Sequence, residues 1–171
     1  MSEEKIYFPE SLGPIDFMFN SLFDEDVLVQ KNSAWDPLVE EQFLLATYKT
    51  DNQKIAIVGA VSFDVAAGLA AFFTRFQCSV LTDIIKNKQL TDELMGNFYE
   101  IMNISSHIFN KEEYDHIAIH DLKVMKPSEI RPELLETIKA PKNRIDASIS
   151  ISSGYGKGYM SYFKASKLLE I

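Results

Sequence analysis

Gln42-Phe-Leu-Leu-Ala-Thr-Tyr-Lys-Thr50, followed by Asp51-Asn-Gln53 and Lys54-Ile-Ala-Ile-Val-Gly-Ala-Val-Ser-Phe63, is the stretch that decides the fold. Both arms are rich in β-branched, aromatic and other apolar residues. The three residues between them are polar turn formers, so the stretch predicts a β-hairpin. The second arm runs on into Asp64-Val-Ala-Ala-Gly-Leu-Ala-Ala-Phe-Phe73, where strand formers give way to an alanine-rich helical pattern. Asp64 is a good N-cap residue. The helix it opens is predicted to reach about Gln77, with Val65, Leu69, Phe72, Phe73 and Phe76 toward the core. Residues 55–73 are nearly uncharged, yet a β-rich half followed by a capped half reads as a buried strand and a buried helix, not a membrane span.

Working outward, Leu12, Ile15, Phe17, Met18, Phe19, Leu22 and Phe23 predict an amphipathic first helix with Pro14 in its opening turn. Residues 79–90 read as a mixed, partly helical connection. Thr91 is the expected N-cap of a long helix, and Asp92 and Glu93 suit the positive end of its dipole. Residues 114–125 predict a strand, Pro132–Lys139 a short helix with proline in its first turn, and residues 144–152 and 159–165 two further strands. The order α-β-β-α-α-β-α-β-β, with short turns between strands, predicts one α+β domain over residues 1–171. It is an antiparallel sheet with long helices packed on one face. Residues 1–10 are expected to be a flexible lead. No internal repeat is visible.

Composition narrows the function. The chain has 171 residues, 46% hydrophobic and 25% charged, which is ordinary globular composition. A single cysteine, Cys78, rules out an internal disulfide, and the N-terminus lacks the basic-then-apolar pattern of a secretory signal, so a reducing, cytoplasmic setting is expected. The whole net charge of −8 falls in residues 1–53, with eleven Asp and Glu against three Lys; the remainder is balanced. An acidic third on a neutral body argues against nucleic-acid binding, which needs positive charge to displace counterions.

The long helix carries the most unusual pattern. In Glu93-Leu-Met-Gly-Asn-Phe-Tyr-Glu-Ile-Met-Asn-Ile-Ser-Ser-His107, the residues Leu94, Phe98, Ile101, Met102, Ser105, Ile108 and Phe109 recur at helical spacing as an inward stripe. Glu93, Asn97, Glu100, Asn103 and His107 form the opposite face, with Gly96 and Ser106 beside them. Solvated helix faces usually carry Glu, Lys, Arg and Gln, whereas Asn, Ser and Gly are poor helix formers. Glu100 and Asn103 stand one turn apart. A carboxamide can donate and accept hydrogen bonds and so orient a water molecule, while a carboxylate can pair with a partner's lysine. Fourteen Glu and eight Asn leave fewer than one chance match to Glu-x-x-Asn expected; the chain has this one.

Other candidates carry less. His116 and His120 have zinc spacing only on a helix, and the intervening Ile-Ala-Ile predicts a strand, where they would lie roughly 13 Å apart. No metal site is expected. Gly154-x-Gly156-Lys157-Gly158 has strand-like residues on both sides and no Ser or Thr after the lysine, so a hairpin turn is the better reading than a phosphate loop. Cys78 has no evident base nearby.

On these residues the chain resembles the CheC/CheX/FliY group of chemotaxis phosphatases, and most of all its single-site, CheX-like branch. The likeness covers roughly residues 10–165. It rests on the element order, the strand-to-helix segment Val61-Ser-Phe-Asp-Val-Ala-Ala-Gly-Leu-Ala-Ala-Phe-Phe73, and Glu100-Ile-Met-Asn103 on a long helix. The resemblance implies a hydrolase that removes phosphate from the phosphoaspartate of a CheY-like response regulator. Asn103 would orient the attacking water, and Glu100 would engage a lysine of the receiver domain. Gly96, Asn97 and His107 would contact that partner. The chain would need no cofactor of its own, since the catalytic Mg²⁺ would belong to the phosphorylated partner. A homodimer is one expected form; nucleic acid and membrane are not expected partners. Two positions depart from the group's pattern. Gly96 stands where Asp or Ser precedes the Glu by four, and Pro127 follows Asn103 with one residue more than the usual interval. The same fold also serves as a non-enzymatic module in the flagellar switch. The alternative is therefore a catalytically silent CheX-like binding or scaffold domain in two-component signalling.

Overall fold

A computed structural model describes residues 3–32 and 34–171. The elements run α1 (Gly13–Phe23), β1 (Val27–Lys31), β2 (Phe43–Thr50), β3 (Lys54–Ser62), α2 (Phe63–Phe73), α3 (Cys78–Asn87), α4 (Asp92–Ser105), β4 (Ile117–Met125), α5 (Pro132–Lys139), β5 (Asn143–Ile151) and β6 (Gly156–Glu170). The predicted hairpin is β2–β3, closed by Asp51–Gln53 with Gln53 in the left-handed region at φ 60°. The six strands form one sheet in the order β1-β5-β6-β3-β2-β4, antiparallel at every pairing.

That order has an internal symmetry that the sequence does not display. Exchanging β1 with β4, β2 with β5 and β3 with β6 returns the same order read from the other edge. Each half of the chain is thus a helix followed by three strands, with α2 and α3 added after the first half and α5 inserted in the second. β3 and β6 pair at the centre, Gly59 opposite Tyr162 and Ala60 opposite Ser161.

Alternation along the strands divides the core in two. Ile57 and Val61 of β3 face the helical layer, where they join Ile15 and Phe19 of α1, Leu69 of α2, Leu81 of α3 and Phe98 and Met102 of α4. Val58 and Ala60 face the other way, toward Trp35, Phe43, Phe163 and the Leu134 and Ile138 side chains of α5. The long helices therefore lie on one face, as expected, while the short α5 covers part of the other. Residues 3–10, expected as a flexible lead, have no regular structure but lie against the body. Ile6 is buried, Phe8 stacks on Phe109 at 5.9 Å, and Lys164 Nζ donates to the Ile6 carbonyl at 2.7 Å.

Four local differences have physical reasons. β1 was not expected; it pairs with β5, Val29 opposite Ile149, a partner far along the chain. α2 starts at Phe63, with Ser62 rather than Asp64 in the N-cap position, and the Asp64 carboxylate pairs instead with Lys88 Nζ at 3.2 Å. The same helix stops at Phe73, before Gln77. Arg75 turns left-handed at φ 55°, its N–H reaches Phe72 O at 3.1 Å, and the Phe76 N–H reaches Ala71 O at 2.8 Å, a Schellman closure. Lys88 ends α3 in the same way, and that helix fills the connection read as mixed.

The glycine-rich segment is a hairpin turn, as predicted. Ser153, Gly154 and Gly156 have φ of 59°, 80° and 109°. The turn lies so close to α2 that a Cβ on Gly68 would stand 2.1 Å from the Tyr155 carbonyl oxygen, and one on Gly158 2.3 Å from Ser62 Oγ. His120 lies within β4, and His116 Nδ1 is 3.3 Å from Asp51 Oδ1. Among the described residues, no helix is long and apolar enough to cross a membrane.

Gly68→Ala should force α2 and the β5–β6 turn apart, because the obstructing atom is backbone and cannot rotate away. The expected cost is about 1–3 kcal/mol. A urea midpoint equal to the parent's would show that the two elements are not held at this distance.

Candidate functional site

Local chemistry builds α4 as a platform. Thr91 Oγ1 accepts the Leu94 N–H at 3.2 Å, so the predicted N-cap is in place. Leu94, Phe98, Ile101 and Met102 are fully buried against the sheet and α2. At about 1.5–3 kcal/mol for each side chain, their burial fixes which way the helix faces. Glu93, Gly96, Glu100, Asn103 and His107 are consequently exposed, and Asn97 is half-buried. Asn97 Nδ2 donates to Thr74 Oγ1 at 3.3 Å, which ties the outer face to the closure of α2. Thr74 gave no functional signal in the sequence.

The end of α4 is held by buried hydroxyls. The Met102 carbonyl accepts Ser105 Oγ at 2.6 Å and Tyr48 Oη at 3.2 Å, and those two hydroxyls lie 2.7 Å apart. The Asn103 carbonyl accepts Ser106 Oγ at 2.7 Å. Asn110 completes the exit: its Nδ2 donates to Ser106 O at 3.0 Å and Ile117 O at 2.8 Å, and its Oδ1 accepts the Ile117 N–H at 2.7 Å. Ser106 is therefore a buried capping residue and not part of the solvated face. These bonds satisfy carbonyls that a helix terminus otherwise leaves orphaned.

The result is a carboxylate and a carboxamide projecting from one exposed strip, with Cβ atoms about 5–6 Å apart as the i, i+3 relation dictates. Beside the strip a groove of about 600 Å³ opens between α1 and the end of α4, lined by Phe17, Met18, Leu22, Ile104, His107 and Ile108. Phe17, grouped in the sequence with core-forming neighbours, is 75% exposed. Matching the buried triplet Ile15, Met18 and Phe19 of α1 to Phe98, Ile101 and Met102 of α4 sets Phe17 opposite Glu100 and Asn20 opposite Asn103. The symmetry-related helix thus keeps an asparagine but has a phenyl ring where α4 has its carboxylate.

Beneath the platform, burial pushes the Tyr48 phenol well above its ordinary 10.0, with the neighbouring Tyr162 adding to the shift; Tyr162 is itself raised by burial. A raised acid pKa means that the folded state holds its proton more tightly than the unfolded chain does. The associated stability is complete below pH 10 and is lost as the pH climbs above it. Stability against urea should therefore fall on moving from pH about 9 to about 11, and the fall should be shallower in Tyr48→Phe. At neutral pH that substitution should cost about 1 kcal/mol, the net worth of one hydroxyl hydrogen bond. A pH profile unaltered by Tyr48→Phe would mean that this phenol is not buried as described.

The comparisons with known proteins rest on structure. No family model matches the chain, and no curated protein sequence matches it. FliY of Thermotoga maritima superposes with a TM-score of 0.51 at 9% identity, over 91% of this chain and 84% of that one. The CheX–CheY–BeF3–Mg complex of Borrelia burgdorferi gives 0.43 at 9% identity, over 93% and 95%. The FliG–FliM complex of H. pylori gives 0.45 at 11%, over 88% and 84%. At 9% identity the likeness to FliY is one of architecture: the six-stranded antiparallel sheet with its helices has a FliY-like fold.

Proposed function

We propose that this chain hydrolyses the phosphoaspartate of a CheY-like receiver domain. The observation that carries the proposal is the exposed Glu100–Asn103 pair, one turn apart on a helix whose inward face is fixed by burial. Water attacks phosphorus, the bond from phosphorus to the aspartyl oxygen breaks, and the products are inorganic phosphate and the free aspartate carboxylate. Asn103 accepts from and donates to the groups around that water, aligning it without removing its proton. Glu100 supplies a charge-assisted contact to a lysine of the receiver, which fixes the docking register. Asn97 and His107 widen the contact strip on either side. A divalent ion to balance phosphoryl charge would belong to the phosphorylated receiver. The resemblance of Glu100-Ile-Met-Asn103 to the chemotaxis phosphatases supports the same assignment.

The test is decay of phosphoaspartate on a purified CheY-like receiver in the presence of Mg²⁺. The parent chain should accelerate it. Asn103→Ala should remove most of the acceleration while leaving stability unchanged or higher by about 0.5 kcal/mol, since alanine is the better helix former. Glu100→Ala should act mainly through weaker engagement of the receiver. A chain that binds the phosphorylated form without shortening its lifetime would be a binding or scaffold domain. Unimpaired turnover in both stable variants would remove the pair from the mechanism.

A further inference from the structure

The face of the sheet away from α4 holds a cavity of about 280 Å³ between β2, β4 and the start of α5. Part of its lining is apolar: Leu45 of β2, Ile55 of β3 and Leu134 of α5, all buried. Among them lies Thr47, which is 6% exposed and whose Oγ1 has no hydrogen-bond partner among the described residues. Arg131, also in the lining, donates from Nη2 to the Glu170 carbonyl, but its Nε is buried and equally unpartnered. Glu133 Oε2, at 4.0 Å from that Nε, is beyond hydrogen-bond reach. Native folds leave few buried polar atoms without a partner, so two around one small cavity call for an explanation.

The strand geometry adds a third polar group. Thr47 stands opposite Asp121 and Tyr48 opposite Ile119, so β4 carries His120 as an extra residue, a β-bulge. In a regular strand His120 and Asp121 would point to opposite faces, yet both line the cavity. The acidic groups of the lining are already engaged. Asp121 pairs with Lys123 Nζ at 2.8 Å and accepts the Leu122 N–H at 3.0 Å, and the exposed Glu129 accepts the Lys126 N–H at 3.0 Å. The open groups are thus the Thr47 hydroxyl and the Arg131 Nε–H, with the His120 ring beside them as donor or acceptor.

We propose that this cavity binds a small aliphatic carboxylate, independently of the α4 surface. The carboxylate oxygens accept from Arg131 Nε and Thr47 Oγ1, the first a charge-assisted bond, and the bulged His120 closes the polar side. The hydrocarbon body covers Leu45, Ile55 and Leu134 and removes apolar surface from water. An inorganic anion would satisfy the donors and leave those side chains uncovered; an alcohol would cover them without the charge. The volume lies at the small end of ligand pockets, which run from about 300 to 1,000 Å³, and suits a chain of a few carbons.

The experiment titrates the isotope-labelled full chain with pentanoate, and in parallel with pentanol and inorganic phosphate, following the amide spectrum. Pentanoate should give saturable shifts at Thr47, at residues 119–123 and at residues 131–134, and neither control should match it. Thr47→Val removes the hydroxyl at nearly constant shape. It should melt at or above the parent, since an unpartnered buried group is lost, and bind pentanoate about tenfold more weakly or worse. Thr47→Ser keeps the hydroxyl and should keep most of the binding, whereas Arg131→Lys keeps the charge without the Nε–H and should lose most of it. Phosphate binding as tightly as pentanoate would overturn the proposal in favour of a simple anion site. Unsaturable shifts with all three probes, or a folded Thr47→Val that binds pentanoate like the parent, would also overturn it.

Discussion

The Met102 carbonyl accepts the Ser105 hydroxyl at 2.6 Å and the Tyr48 hydroxyl at 3.2 Å, and through that pair the last turn of α4 is fastened to β2. A helix end buried against a sheet needs partners for its terminal carbonyls, and here they come from hydroxyls below the platform. Asn103 follows Met102 directly, so the clamp that satisfies one carbonyl also fixes how the next side chain leaves the surface. The outward face can then carry residues chosen for something other than helix stability. Gly96, Asn97 and Asn103 each cost roughly 0.5–1 kcal/mol relative to alanine. The buried Leu94, Phe98, Ile101 and Met102 outweigh them at about 1.5–3 kcal/mol apiece.

The internal symmetry of the sheet explains why one such platform stands beside a groove. α1 and α4 open the two halves of the same helix-and-three-strand plan and bury the same i, i+3, i+4 triplet. They diverge on their outer faces. α4 keeps a carboxylate and a carboxamide, whereas α1 keeps Asn20 but exposes Phe17 where the carboxylate would be. One helix therefore presents the polar pair, and its counterpart contributes an apolar wall to the adjoining groove.

Sequence patterns were most informative where the determinants are local. The β2–β3 hairpin is specified by two apolar runs and a three-residue polar turn, the start of α4 by Thr91, and α5 by its leading proline. The exposure of Glu100 and Asn103 followed from periodicity alone, because the facing stripe is so strongly apolar. What escaped depends on distant partners. β1 has five residues and an exposed Leu28, and pairing with β5 is what makes it a strand. The early end of α2 comes from a left-handed Arg75, which has no composition signal. Ser106 looked like part of the polar face because its buried role requires knowing where the Asn103 carbonyl lies. The tie between Asn97 and Thr74, 23 residues apart, was likewise invisible.

Two facts meet on α4: its inward side is committed to the core, and its outward side exposes Glu100 and Asn103. Under the proposed function, that outward side is where a receiver would land. The most direct measurement is amide chemical-shift mapping of the isotope-labelled chain on titration with a beryllofluoride-loaded CheY-like receiver. The largest changes should cluster at residues 93–107 and at Thr74, with the α5 face and the β1 edge unmoved. Perturbations centred on β1 or α5, with the α4 amides unchanged, would contradict the assignment of this helix as the functional site.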